Sequence, residues 1–250
     1  MKIVASIQAR MNSSRFPGKV LQTVCGKPLL LWQVERLRNS RLIDEVIVAT
    51  SKNKLDRQII DFCSTNNIKA FIGSEDNVLD RVANLIAENN AEIHVECFGD
   101  SPLIDPELID QFLGYFLKRG KIDFLSNTLT TTYPAGMETI VYYGSVLQEL
   151  NAKLPATDPL REHAGYNITR FRKKYFIENI EAPSWYYYPN LHLEVDEPVD
   201  MLLITEIISY FEKLGLEFYN LSKILDFIRL NPNLAEINNA VERRWKDLKK

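Results

Sequence analysis

Histidine and cysteine are scarce: the 250 residues hold three of each. Cys25, Cys63 and Cys97 are odd in number and lack metal-ligand spacing, which excludes a disulfide scaffold and a zinc ribbon. They read as reduced thiols of a cytoplasmic protein, with Cys97 in the core. His94, His163 and His192 are too scattered for a zinc site or a Ser-His-Asp triad. His94 falls inside an apolar run and reads as core or sheet face; His192 is open. No apolar stretch approaches the length of a bilayer span, so no membrane association is expected. Met1 leads straight into an apolar run with no charged n-region, so no secretory leader is expected. A formal net charge of −3 does not supply the basic surface that nucleic-acid binding needs. Neither G-x-x-x-x-G-K-[ST] nor G-x-G-x-x-G occurs, and no internal repeat or low-complexity segment is found.

With 46% hydrophobic and 25% charged residues, the chain suits one large core, and residues 1–250 are expected to form a single domain. Its organising stretch is Ile3–Lys19, IVASIQARMNSSRFPGK. IVASI is a β-branched apolar run, as in a buried strand. Ala9 to Gly18 then gathers two arginines, two serines, an Asn, a Pro and a Gly before Lys19. Such a loop at a strand's carboxyl end is where open α/β sheets take ligands. Arg10, Arg15 and Lys19 offer charge while Ser13, Ser14 and the loop amides offer donors, a set suited to a polyphosphate. The alternative is a surface loop of solvated charges. It explains poorly why three cations sit among turn residues directly after a buried strand.

To about residue 126 the pattern alternates. Helix is expected at Lys27–Asn39, strand at Asp44–Thr50, helix near Leu55–Asn66 and strand at Ile68–Gly73. Helix follows at Val78–Asn89, strand at Glu92–Asp100, helix at Pro106–Arg119 and strand at Ile122–Asn127. This βα alternation predicts a three-layer α/β sandwich with a mostly parallel, Rossmann-like central sheet. Residues 1–127 would be the nucleotide-binding half. From Thr128 the regularity breaks: residues 128–190, rich in tyrosine and proline, read as a small β-rich excursion. An interface and an ordinary antiparallel extension fit it equally. LHLEVD should return as a strand, EPVDMLLITEIISYFEKLG as an amphipathic helix, and Leu221–Lys250 as helix ending in a solvated charged tail.

The strand ends converge with the first loop on one edge. Ala49, Thr50 and Ser51 are small enough for a base to approach the backbone. Ser74 and Asp76 suit either a helix cap or base recognition. Asp80 and Arg81 could be an exposed helix face. Asp100 follows an apolar strand, and because Asp105 before Pro106 is better placed to cap the next helix, Asp100 is free for a cation. Asp196 reads as a second carboxylate at a strand end or as an N-cap, with Asp200 a third candidate. Two carboxylates facing a triphosphate loop make a hard oxygen site for Mg²⁺.

ARMNSSRFPGK resembles the A-R-x-x-S-[ST]-R-x-P-x-K signature of the CMP-sugar synthetases, the cytidylyltransferases that activate KDO and the sialic acids. With SIQ before it and VL after it, it is most similar to the spore-coat polysaccharide branch. GSEDNVLDR resembles the family's segment beside the nucleotide, which brings in Arg81. G-D-x-P-L-I and V-D-x-P-x-D resemble the motifs that supply the magnesium aspartates, here Asp100 and Asp196. The resemblance covers residue 1 to about 210 and is weakest between about 128 and 190. It implies transfer of CMP from CTP to an acidic sugar with release of pyrophosphate, and a homodimer through the 128–190 arm. A nonulosonic acid related to sialic acid is the first acceptor expected, with another sugar acid, a phosphonate or a phosphate open. Arg10, Lys19, Asp100 and Asp196 would act at the reacting phosphates, and Ala9, Ser13, Ser14, Arg15, Ala49, Thr50, Ser51, Ser74 and Arg81 around the nucleotide. Arg161 or His163 would hold the acceptor carboxylate, with Tyr133, Glu138 and Glu162 beside it; a structural salt bridge is the other reading of Arg161. A glycosyltransferase would show D-x-D where Asp100 is followed by Ser-Pro. A non-catalytic nucleotide binder would tolerate loss of the carboxylates, and both are present.

Overall fold

The computed structural model describes residues 1–242. Its parallel core is built as the periodicity predicts, with boundaries shifted by one or two residues. Strands β1 (Ile3–Gln8), β2 (Glu45–Ser51), β3 (Lys69–Gly73) and β4 (Ile93–Phe98) alternate with helices α1 (Leu29–Arg38), α2 (Arg57–Thr65) and α3 (Val78–Glu88). Helix α4 (Pro106–Arg119) follows, started by Asp105, whose carboxylate accepts from the N–H groups of Glu107 and Leu108. That cap, with Pro106 at the first position, is the reason the helix begins there.

Beyond α4 come β5 (Phe124–Ser126), β6 (Ile140–Tyr143), α5 (Gly144–Lys153), β7 (Ile177–Asn179), α6 (Asp200–Lys213) and α7 (Leu221–Leu230). The seven-stranded sheet runs in the order β3-β2-β1-β4-β6-β5-β7. Every pairing is parallel except those of β6, which lies antiparallel between β4 and β5. Two apolar clusters enclose the sheet. Ile3, Ala5 and Ile7 of β1 join α1, α2, α4, α6 and α7 on one face. Val4 joins α3 and α5 on the other. The three-layer α/β sandwich with a mostly parallel sheet is therefore the observed fold.

The second half differs from expectation in detail. Residues 128–190 place β6 and β7 in the central sheet itself, and the rest of the segment is the unpredicted α5 and short 3₁₀ turns. Antiparallel β6 can sit beside β4 because a loop rather than a crossover helix delivers it. LHLEVD is extended but joins no strand; it makes one bridge, between His192 and Ala135. The charged end at 243–250 lies outside the described residues. No helix among those described is long and apolar enough to cross a membrane.

One buried group on the α3/α5 face makes the fold acid-sensitive. His94 is fully buried, its Nε2 paired with the Ser6 hydroxyl at 2.9 Å and its ring 5.1 Å from that of Tyr142. Burial lowers its pKa from 6.5 to about 3. The unfolded chain therefore takes the proton first, and His94 withdraws stability as pH falls below its unfolded value. His94→Gln should melt lower at neutral pH because packing is lost. The gap to the natural protein should then narrow as pH falls from about 7 to about 5. A constant gap in thermal midpoints across that range would show that His94 titrates alike in both states.

Candidate active site

The loop after β1 is pinned from several sides. The Ala9 N–H donates to the Ala49 carbonyl at 3.0 Å, and the Met11 carbonyl accepts from Ser13 and Gly18. Asp56, which no sequence signal singles out, anchors both neighbouring strand ends. Its carboxylate takes the Met11 N–H at 2.7 Å and the hydroxyl and N–H of Ser51. From the other side Gly99 presses against the end of β1: its N–H meets the Gln8 carbonyl, and a Cβ there would lie 2.8 Å from that oxygen. Only glycine allows that approach without displacing the loop.

Lys19 ends the loop and is buried, with 8% of its surface exposed. Its Nζ donates to Asp100 Oδ2 at 3.1 Å, to Asp196 Oδ1 at 3.1 Å and to the Val195 carbonyl at 2.6 Å. Burial opposes the ammonium charge, but Asp100 and Asp196 outweigh it, so the pKa of Lys19 is raised. Arg15 Nη2 holds the other oxygen of Asp196 at 2.6 Å, and its Nη1 donates to the Glu242 carbonyl at 2.9 Å. Two carboxylates more than ninety residues apart in sequence thus meet on the cations of one loop.

Asp196 is not a helix cap. Nor is Asp200: the N-cap of α6 is Val199, which makes no side-chain cap bond. Asp200 is the first residue of the helix, fully buried, and accepts from the preceding N–H groups of Asp196 and Glu197 at 2.8 Å each. Asn238 donates to its other oxygen, so Asp200 shapes the turn that presents Asp196 and is not placed as a third cation ligand. At β3 the cap is Asn77, which accepts from the Asp80 N–H at 3.0 Å, in place of the expected Ser74 or Asp76. The Ser74 hydroxyl supports Asn77 itself, and Asp76 is exposed. Ala49, Thr50 and Ser51 are all buried, and Asp56 engages both donors of Ser51. Ser51 is therefore spent on the loop and does not offer donors to a base. Ser13 and Ser14 stay at the loop surface.

Arg81 is buried rather than on an exposed helix face. Its Nη1 donates to the Ser74 carbonyl at 2.6 Å, and Nε and Nη2 donate to Gln8 Oε1 at 3.3 and 3.1 Å. Burial, then the nearby exposed Arg10, lowers its pKa to about 10. Among the described residues neither Arg10 nor Arg81 has a carboxylate within ion-pair distance. Asp56, Glu96 and Glu75 act on Arg81 only from beyond that distance, so two neighbouring guanidinium groups without a directly paired carboxylate form a place for an anion.

The acceptor residues are not gathered into one cluster. Tyr133 packs in the first core against Phe112 and Tyr186, whereas Arg161, Glu162 and His163 lie by α3 and α5. Burial raises the Tyr133 hydroxyl to about 12. Glu138 accepts from the Gly136 N–H at 2.9 Å. Arg161 is structural: Nε reaches Asn77 Oδ1 at 3.2 Å, Nη1 the Leu154 carbonyl at 2.9 Å, and Nη2 the Asn151 side chain. Its partners are amides and carbonyls, so no salt bridge is involved. Glu162 is exposed and pairs with the half-buried His163 at 3.5 Å.

A protein-family model described as cytidylyltransferase matches residues 4–158. The chain belongs to the cytidylyltransferase family. It is a CTP-dependent nucleotidyltransferase. It is 29% identical to the spore coat polysaccharide biosynthesis protein SpsF of Bacillus subtilis, across 95% of this chain and 98% of that protein. It is 25% identical to the 3-deoxy-manno-octulosonate cytidylyltransferase of Geobacter metallireducens, across 97% of this chain and 84% of that one. Among solved structures, a cytidylyltransferase from Leptospira borgpetersenii superposes with a TM-score of 0.87 at 27% identity, covering 97% of this chain and all of the other. A CMP-KDO synthetase solved with CTP superposes at 0.62 with 19% identity, over 84% of this chain and 99% of that one, a likeness of fold.

The reassigned Arg161 generates a test. Arg161→Ala strands the Leu154 carbonyl and the Asn77 and Asn151 amides, and is expected to cost about 2–3 kcal/mol. Denaturant unfolding measures that loss. CTP affinity of the folded fraction should stay within about twofold, because the guanidinium is turned away into the protein. A stable variant with a raised acceptor KM would return Arg161 to the acceptor.

Proposed function

We propose that this protein transfers CMP from CTP to an acidic sugar of the nonulosonic type and releases pyrophosphate. The observation that carries this reading is the meeting of Asp100 and Asp196 on Lys19 beneath the β1 loop. Likeness to enzymes named for 3-deoxy-manno-octulosonate and to a spore coat polysaccharide protein supports an acidic sugar destined for a surface polysaccharide. The acceptor oxygen attacks the α-phosphorus in line, loses its proton, and the bond to the bridging oxygen of pyrophosphate breaks. Negative charge grows on that leaving group. Arg10 and Lys19 face it and stabilise it more in the transition state than in bound CTP. Arg15 holds Asp196 in place.

The residues present fit magnesium. Asp100 and Asp196 direct one oxygen each to the same point, where the Lys19 ammonium already stands as a cation, and hard oxygen donors are what Mg²⁺ prefers. When bound there it would neutralise phosphate oxygens and orient the triphosphate. Asp100 and Asp196 would hold it, with Lys19 turning toward the phosphates. No cluster of three or more metal-binding side chains occurs among the described residues, so the remaining ligands would come from CTP and water.

The same reading carries a homodimer in the cytoplasm, where CTP is made. The 128–190 segment exposes the large apolar side chains Tyr166, Phe176, Trp185 and Tyr187, of the kind a second copy would cover. Light scattering should return twice the chain mass; a single-chain mass removes the dimer.

Pyrophosphate release tests the chemistry. With CTP and Mg²⁺, a nonulosonic acid should release pyrophosphate while a neutral sugar of the same size should not. Equal release with KDO, or release only with a phosphonate, would reassign the acceptor. Asp100→Asn keeps size and hydrogen bonding but removes charge, and is expected to lower kcat at least ~100-fold, or ~2.7 kcal/mol, with the fold intact. Near-normal turnover would remove Asp100 from the site.

A further inference from the structure

One polar chain lies outside the machinery above. Along β1 the alternation of side chains puts Val4, Ser6 and Gln8 on the α3/α5 face, and the register sets Val4 opposite His94 of β4. Gln8 Nε2 donates to Ser6 Oγ at 2.8 Å, and Ser6 Oγ meets His94 Nε2 at 2.9 Å. His94 Nδ1 is buried without a partner among the described residues, so Ser6 is the ring's polar contact. The chain runs from the Gln8 amide through Ser6 to that buried ring. It locks the amide so that Oε1 faces outward, the orientation in which it takes two N–H groups of Arg81. A flipped amide would set its NH₂ against the guanidinium and leave two Arg81 N–H groups without their acceptor.

What Arg81 lacks is as informative as what it has. Its hydrogen-bond acceptors are the Gln8 amide and the carbonyls of Ser74 and Glu75, all neutral. Asp56, Glu96 and Glu75 offset its charge only from a distance, so a buried guanidinium hydrogen-bonded to dipoles alone keeps charge for a further ligand. Arg10 beside it adds a second cation at the edge of the phosphate loop.

We propose that Gln8 is a positioning residue for nucleotide binding: it fixes the Arg81 guanidinium without neutralising it, so that Arg81 and Arg10 together receive a phosphate of CTP. The inference rests on the loop being the triphosphate site. A neutral amide is chosen over a carboxylate because a carboxylate would hold Arg81 equally well and cancel its charge.

Gln8→Glu separates the two effects. The new carboxylate should retain Arg81 and leave the thermal midpoint unchanged or raised, since Ser6 and His94 can reverse their bonds to donate toward it. CTP affinity, measured by calorimetry with Mg²⁺, should nevertheless fall about tenfold or more. Gln8→Met, which keeps length but removes the acceptor, should also weaken CTP by freeing Arg81. Natural affinity in Gln8→Glu, or in Gln8→Met should Gln8→Glu not fold, overturns the proposal. Lys19→Ala is the control. If it weakens CTP while both Gln8 variants bind normally, the role of Gln8 alone is wrong; if it too leaves CTP binding untouched, the triphosphate lies elsewhere and both readings fall.

Discussion

The contact on which the site depends is the Lys19 ammonium held between Asp100, Asp196 and the Val195 carbonyl. It fastens three distant pieces of chain: the loop after β1, the end of β4, and the extended segment that precedes α6. Two charges of one sign and one of the other are brought together, with Lys19 buried and both carboxylates partly buried. Such a cluster is stable only because each charge finds its partner at hydrogen-bond distance. Arg15 adds a fourth member and balances the formal charge. The cluster resembles a structural ion-pair network, yet it stands where open α/β sheets take ligands. Each member pairs with at least one other across distant pieces of chain, which is why the loop, the sheet and the late segment must be correct at once.

Around that cluster the protein uses groups that make hydrogen bonds rather than ion pairs to place the charged ones. Asp200 and Asn238 form the turn beneath Asp196. Asp56 stabilises the loop through backbone donors and not through ion pairs. Gln8, Ser6 and His94 form a line of dipoles behind Arg81. Burial of His94 as the neutral ring belongs to the same scheme: a charged ring there would compete with Arg81 for the one amide between them. Preorganised dipoles of this kind need no rearrangement when a polyanion arrives.

A similar division governs the far half. Glu96, deep in β4, takes the Tyr142 hydroxyl at 2.9 Å and the Gly165 N–H at 2.8 Å. A Cβ on Gly165 would sit 2.7 Å from both partners, so the segment bearing Glu162 and His163 is drawn tight against the sheet. Burial raises the Glu96 pKa, opposed by those two donors and by Arg81. The same carboxylate thus links the segment around Gly165 to Arg81.

The sequence by itself determined the parallel half and the chemistry of its edge. Short β-branched runs separated by amphipathic helices admit one architecture, and cations among turn residues after a buried strand leave few roles. Those signals are local, carried by period and by neighbours in the chain. The pairing of Lys19 with Asp196, the burial of Arg81 and the capture of Arg161 by Asn77, Asn151 and Leu154 were decided only by tertiary structure. Each depends on residues far apart in sequence whose separation in space no periodicity encodes. The strand order was also beyond the sequence, since β6 is antiparallel in an otherwise parallel sheet and the 191–196 segment bridges to Ala135 without joining a strand. An arginine in a polar stretch looks the same whether it faces solvent, a substrate or a carbonyl; what it binds is set by which backbone groups the fold leaves in need of a donor.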